Sequence, residues 1–242
     1  MILVDIGNTT IHFGIDRENK IIKDFRIYNK EFNIKYLKKI LNKYPRDEII
    51  ICSVAPTYTK IFKLTKRKIY IIGKDIKVPI KCFYNYNQIG QDRLVNSLAA
   101  KILYPETHII IDFGTAITID FLSKRGDYLG GFILPGINLY LQSLSQCQLL
   151  PSKIKLIKTK SIIPKNTTSS ISKGLVEGFS LMINAFIKKY KNLVFKKYNM
   201  KPKIIITGGE STLLKKRLDF DYIYEPLLTL KGLVLIKKIL KD

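Results

Sequence analysis

The sequence predicts an α/β protein built from a duplicated unit, and three observations carry that prediction. Two stretches echo one another: Ile2-Leu3-Val4-Asp5-Ile6-Gly7-Asn8-Thr9-Thr10-Ile11-His12-Phe13-Gly14-Ile15 and Ile109-Ile110-Ile111-Asp112-Phe113-Gly114-Thr115-Ala116-Ile117-Thr118-Ile119-Asp120. Each reads as a buried apolar strand, an Asp-x-Gly turn with small polar residues, and a second strand alternating apolar and polar. Further continuous apolar runs suit a sheet covered on both faces. Segments of helical periodicity fall between the strands, which is the alternation of an α/β fold.

Taken in order, the first half should add strands over 48–54 and 68–72 to its hairpin. A helix over 92–103 follows, with Leu94, Val95, Leu98, Ala99, Ile102 and Leu103 on one stripe. In the second half a turn at Lys124-Arg125-Gly126-Asp127 leads into a strand over 128–134, and Lys203–Thr207 supplies another. Helices are expected over 174–190 and 230–240, and the lysine-rich stretch 152–172 reads as a surface excursion. No Pro/Ser-rich linker separates the halves, so residues 1–105 and 106–242 are expected as two closely packed lobes.

Composition narrows the function classes. The 242 residues are 46% hydrophobic and 11% aromatic, enough apolar material for a sizeable core and too much for disorder. No run approaches the ~18 apolar residues of a membrane span. The start, Met1-Ile2-Leu3-Val4-Asp5, lacks the features of a secretory signal, so a cytoplasmic protein is expected. Cys52, Cys82 and Cys147 match no metal-ligand spacing, and His12 and His108 have no partner at such spacing; structural roles are expected for them. The net charge of +23 would suit nucleic acid, but the lysines are scattered among apolar residues and not gathered in one stripe.

Several turns could carry chemistry. A carboxylate ending a buried strand, followed by glycine and hydroxyl residues, can hold a phosphate-bound cation. Gly7 and Gly114 would admit the phosphates closely, while Thr9, Thr10 and Thr115 donate hydrogen bonds. One such turn is also ordinary hairpin chemistry; two matched copies favour phosphate binding. On this reading alone, Asp112 would go to magnesium. In Gly90-Gln91-Asp92-Arg93, Asp92 is either a helix-start acid favoured by the macrodipole or a base for a hydroxyl proton, with Arg93 orienting an anionic substrate. Gly130–Gly136 and Thr207-Gly208-Gly209 read as turns or as points of close ligand approach. No P-loop and no Gly-x-Gly-x-x-Gly occurs.

Together these segments resemble the type III pantothenate kinases, of the superfamily of acetate and sugar kinases, heat-shock ATPases and actin. The resemblance runs through Asp5–Thr9, Ser53-Val54-Ala55-Pro56, Gly90–Arg93, Asp112–Ala116, Gly130–Gly136, Asn166-Thr167, Gly174, Thr207-Gly208-Gly209 and Leu228–Leu233. It implies duplicated actin-like (ribonuclease H-like) lobes with a central cleft, usually in a homodimer. The implied activity is ATP-dependent phosphorylation of pantothenate to 4′-phosphopantothenate, the first step of coenzyme A biosynthesis. ATP with Mg²⁺ would fall on Asp5, Ile6, Gly7, Asn8, Thr9, Thr10, Ile11, His12 and Thr115, and a monovalent cation (K⁺ or NH₄⁺) on Asp112. The general base would be Asp92, and substrate contacts would come from Phe83, Gly90, Gln91, Asp92, Arg93 and Thr167. Phe83 stands where the family commonly has Tyr, and Gln91 where it has a smaller residue. The alternative is a non-catalytic relative that binds nucleic acid or a regulatory partner.

Overall fold

The computed structural model describes residues 1–151, 154–158, 161–199 and 201–239. Its ten strands form two five-stranded sheets of one plan. The first runs β3-β2-β1-β4-β5, from β1 (Ile2–Ile6), β2 (Thr10–Arg17), β3 (Lys20–Tyr28), β4 (Ile49–Ser53) and β5 (Ile69–Ile71). The second runs β8-β7-β6-β9-β10, from β6 (Thr107–Phe113), β7 (Ala116–Leu122), β8 (Tyr128–Pro135), β9 (Lys203–Thr207) and β10 (Ile223–Tyr224). In each sheet the first strand of the echo is central, flanked by its hairpin partner and by a later parallel strand, β4 or β9. The repeated sequence is therefore a repeated strand order.

Seven helices complete the described chain: α1 (Ile34–Lys43), α2 (Pro56–Lys63), α3 (Gln91–Leu103), α4 (Ile137–Leu144), α5 (Thr167–Tyr198), α6 (Ser211–Leu214) and α7 (Leu228–Ile239). Two compact units result. One comprises Met1–Glu106, Asp120–Gly130 and Leu227–Asp242, the other Thr107–Ile119 and Gly131–Pro226.

In the first unit, alternate β1 and β2 residues (Ile2, Val4, Ile6, Ile11, Phe13, Ile15) enter a core closed by Leu37, Ile40 and Leu41 of α1 and Phe62 of α2. Phe13 stacks on Phe25 at 5.1 Å and Phe32 on Phe62 at 5.3 Å, rings that bring orientation as well as area. On α3, Val95 leaves no room for a side chain at position 232 of α7: a Cβ there would lie 2.5 Å from Val95 Cγ1. The two helices also share a buried hydrogen bond, Thr229 Oγ1 to Asn96 Oδ1 at 2.8 Å. In the second unit Ile109–Ile111 and Ile204–Ile206 are buried along the β6/β9 pair, as are Phe179, Ile183 and Ile187 of α5.

The expected strands and the helix over 92–103 are present to within a residue or two. The helix over 230–240 begins at Leu228; residue 240 lies outside the described residues. Several elements had no sequence expectation, among them β3, α1, α2, α4 and β10. Strand β3 is an edge strand whose Lys20, Lys23, Asp24 and Arg26 face solvent, so charge obscures its pattern. Lysines likewise crowd the outer face of α1, while Asn33 caps it by accepting from Tyr36 N–H at 3.0 Å. The excursion over 152–172 needs correction. Residues 152, 153, 159 and 160 lie outside the described residues, and 167–172 already belong to α5. Asn166 caps that helix onto Ser169 N–H at 2.9 Å, offsetting the weak helix propensity of Thr167-Thr168-Ser169-Ser170.

Candidate active site

The first unit carries the Asp5 turn and the Gly90–Arg93 segment. Asp5 is half-buried next to the end of β1, in register with His12 on β2 and Cys52 on β4. The turn that follows is closed by Gly7 N–H donating to Thr10 O at 3.0 Å. Buried Asn29 braces it, donating Nδ2–H to Gly7 O at 2.9 Å and main-chain N–H to Thr9 O at 2.9 Å. Asn8 and Thr9 are exposed, whereas the side chains of Ile6, Ile11 and His12 are buried. Any phosphate contact in this stretch therefore falls to Gly7–Thr10 and to main-chain groups. His12 Nε2 sits 2.7 Å from Asp24 Oδ2. Burial, and then the Arg26 charge, hold its pKa below the usual value despite that carboxylate.

Asp92 occupies the first turn of α3. Gly90 precedes the helix with extended backbone and gives no side-chain cap. The Asp92 carboxylate folds back instead, Oδ1 accepting Arg93 N–H at 2.9 Å. Burial pushes the Asp92 carboxyl above the ordinary range, against the opposing pull of the Arg93 amide and guanidinium. Both Asp5 and Asp92 act on one buried group: burial first, and then these two charges, raise the Cys52 thiol well above its usual value. Cys52 is thus an inert thiol beneath two carboxylates, the structural role expected of it.

Gln91 lies against Gly73, where a Cβ would come 2.6 Å from its Cδ; the positive φ of 82° at Gly73 suits glycine alone. Phe83 is exposed, its main-chain N–H donating to Tyr128 O at 2.9 Å. Arg93 is buried. Burial pulls its pKa down, but the Asp120 charge and hydrogen bond outweigh this and hold it above its ordinary value.

The second unit carries Asp112, Thr115 and Thr167. Asp112 is next to last in β6, in register with Thr207 of β9. Gly114 N–H donates to Ala116 O at 3.2 Å, forming the turn that holds Thr115. Gly208 (φ 89°) packs so tightly here that a Cβ would overlap Asp112 Oδ1. Gly136 N–H donates to Thr115 O at 2.9 Å, and its missing side chain lets the Gly114 and Thr115 carbonyls approach. Both glycine motifs of the second half thus lie against the Asp112–Thr115 turn. Thr167 sits on a different element, as the first residue of α5.

Three residues at these turns had no sequence expectation: Asp120, Tyr128 and Glu210. Asp120 is an acid inside an apolar strand with both neighbours apolar, a signal that a buried charge needs a partner. Glu210 accepts from Ile137 N–H at 3.2 Å and Asn138 Nδ2 at 2.6 Å, capping α4. No local pattern joins residues 73 positions apart.

The donors fit nucleotide and magnesium. They are hard oxygens, namely carboxylates, hydroxyls and main-chain groups at glycine turns, which suit Mg²⁺ and phosphate. Among the described residues no group of three His, Cys, Asp or Glu could form a dedicated cage. Mg²⁺ takes one or two carboxylates and completes its shell with phosphates and water.

The paired sheets and their acidic turns define an actin-like α/β protein. At the level of fold this agrees with MreB 5 of Spiroplasma citri bound to AMPPNP (TM-score 0.52, 13% identity, 99% of this chain and 96% of that one). A Campylobacter jejuni protein assigned to a Baf family of transcriptional activators superposes with TM-score 0.64 at 25% identity, over 100% of this chain and 99% of that one. The sequence model of the type III pantothenate kinases matches residues 1–189. Type III pantothenate kinases from Persephonella marina (34% identity, 95% of each chain) and Sulfurihydrogenibium sp. (34%, 98% of this chain and 99% of the other) are similar over almost their whole length. The chain belongs to the type III pantothenate kinase family.

Proposed function

We propose that this protein transfers the terminal phosphate of ATP to the primary hydroxyl of pantothenate, opening coenzyme A biosynthesis. Family membership across nearly the whole chain supports the activity. The observation that carries the mechanism is the half-buried Asp92 carboxylate at the start of α3, with its raised pKa. Asp92 accepts the hydroxyl proton as the oxygen attacks phosphorus, and Arg93 anchors the pantothenate carboxylate. Gly90, Gln91, Phe83 and Thr167 complete the substrate contacts. Asp5, the Gly7–Thr10 turn and Thr115 hold the nucleotide. Phosphoryl transfer of this kind depends on positioning and charge neutralisation.

Mg²⁺, when bound, neutralises charge on the ATP phosphates. Asp5 is the carboxylate best suited to hold it through the phosphates, and Asp112 takes a monovalent cation, K⁺ or NH₄⁺. A homodimer is what the family resemblance implies. No described helix is long and apolar enough to cross a membrane, and a cytoplasmic location follows from the substrates. The nucleic-acid or regulatory alternative is not favoured, since the family model and relatives similar over nearly the whole chain are type III pantothenate kinases.

The deciding experiment measures ATP consumption with pantothenate, with and without potassium. Asp92→Ala should lower turnover ~10²–10⁴-fold with ATP affinity unchanged. Wild-type protein that consumes no ATP with pantothenate sinks the assignment. Near-normal turnover in Asp92→Ala removes that residue from its role.

A further inference from the structure

A buried polar cluster backs the Gly90–Arg93 segment. Asp120 and Tyr128 are both fully buried, and a buried charge persists only where it is paired and hydrogen-bonded. Asp120 Oδ1 accepts from Arg93 Nε at 2.8 Å and from the Tyr128 hydroxyl at 2.8 Å. Arg93 Nη2 lies 2.5 Å from the same oxygen, and the guanidinium carbon stands 5.7 Å from the centre of the Tyr128 ring. The guanidinium is thus gripped along one edge and supported on its face. The Asp120 carboxylate thus fixes both the Nε and Nη2 side of the guanidinium.

Tyr128 also holds the segment that presents Phe83. Its carbonyl accepts Phe83 N–H at 2.9 Å, and its own N–H donates to Lys81 O at 2.9 Å. The Tyr84 ring meets its ring edge-on at 6.4 Å. The exposed Phe83 and the anchored Arg93 therefore depend on one residue.

We propose that Tyr128 and Asp120 are positioning residues for the acidic end of the substrate, fixing Arg93 and the 81–84 segment so that together they receive a carboxylate. This rests on the reading of Arg93 as the pantothenate anchor. The pair touches no reacting atom; it acts through Arg93 and Phe83.

Tyr128→Phe tests it, because the ring stays and only the hydroxyl goes. The KM for pantothenate should rise roughly tenfold while the KM for ATP moves by no more than about twofold. The preference of the enzyme for pantothenate over its neutral primary amide should shrink in the same proportion. Asp120→Asn should show the same split, and serves if Tyr128→Phe folds poorly. Both KM values moving together, neither moving, or an unchanged acid-to-amide preference would make the cluster purely structural and overturn the proposal. The underlying reading fails separately. Arg93→Lys with an unaltered pantothenate KM removes Arg93 as anchor, and an inert wild-type protein removes the kinase.

Discussion

Gly90 and Asp92 share one volume: a Cβ at position 90 would lie 2.5 Å from Asp92 Oδ1. The backbone at Gly90 is extended with φ −61°, so any residue could adopt it. Glycine is required there for the space that the carboxylate occupies.

Gly90→Ala should therefore spare the fold and damage the chemistry. The clash falls on the end of one side chain, which can swing away cheaply, but swinging misplaces the carboxylate proposed as the base. We expect kcat to fall ~10–10²-fold with little change in Tm. Steady-state kinetics beside a thermal melt separates the two effects. A variant that loses stability and keeps its kcat would contradict this account.

The acid limb of the pH–rate profile should report Asp92. A base works only when ionised, so turnover falls as pH drops through its pKa. Burial raises that pKa, so the limb should lie above the ~4 of an exposed carboxylate. Measuring kcat/KM from acid to neutral pH checks it; a limb at or below the exposed value would place another group in the role.

His12 should make the protein acid-sensitive. Its folded pKa is depressed, chiefly by burial, so the unfolded chain binds the proton more tightly. The neutral ring contributes its full stability above the ordinary histidine value of ~6.5 and loses it as pH falls through the folded pKa. His12→Gln should flatten the decline in Tm between neutral and mildly acidic pH. An equally steep decline in that variant would assign it to other groups.

Gly232→Ala should strain the seat of α3. The added carbon would meet the Val95 main-chain oxygen at 2.6 Å as well as its side chain, and backbone cannot swing aside. A loss of about 1–3 kcal/mol is expected in denaturant unfolding. Stability at the wild-type level would mean that the helices separate freely.

Much of the candidate site could be proposed from sequence because its signals are local. The Asp5 and Asp112 turns each follow an apolar strand within a few residues, and Asp92 follows a helix-start glycine. Tyr128 gave no such signal, and Asp120 signalled only that a buried charge needs a partner, since that partner, Arg93, is not a neighbour along the chain. The edge strand β3 and helix α1 were hidden by lysines that follow solvent exposure and not periodicity.

The core strands of each half follow from continuous and period-two apolar patterning, because hydrophobic burial along a strand is dictated residue by residue; their order in each sheet came only with folding. The echo of the two halves and the carboxylates at their turns come from that same local chemistry. Which buried charges meet was decided only by folding. Asp120 can be buried because the fold brings Arg93 and Tyr128 to it, and Asp92 is raised toward basicity because packing removes water around it. Desolvation and long-range pairing depend on what surrounds a residue in space, and no run of neighbours along the chain records that.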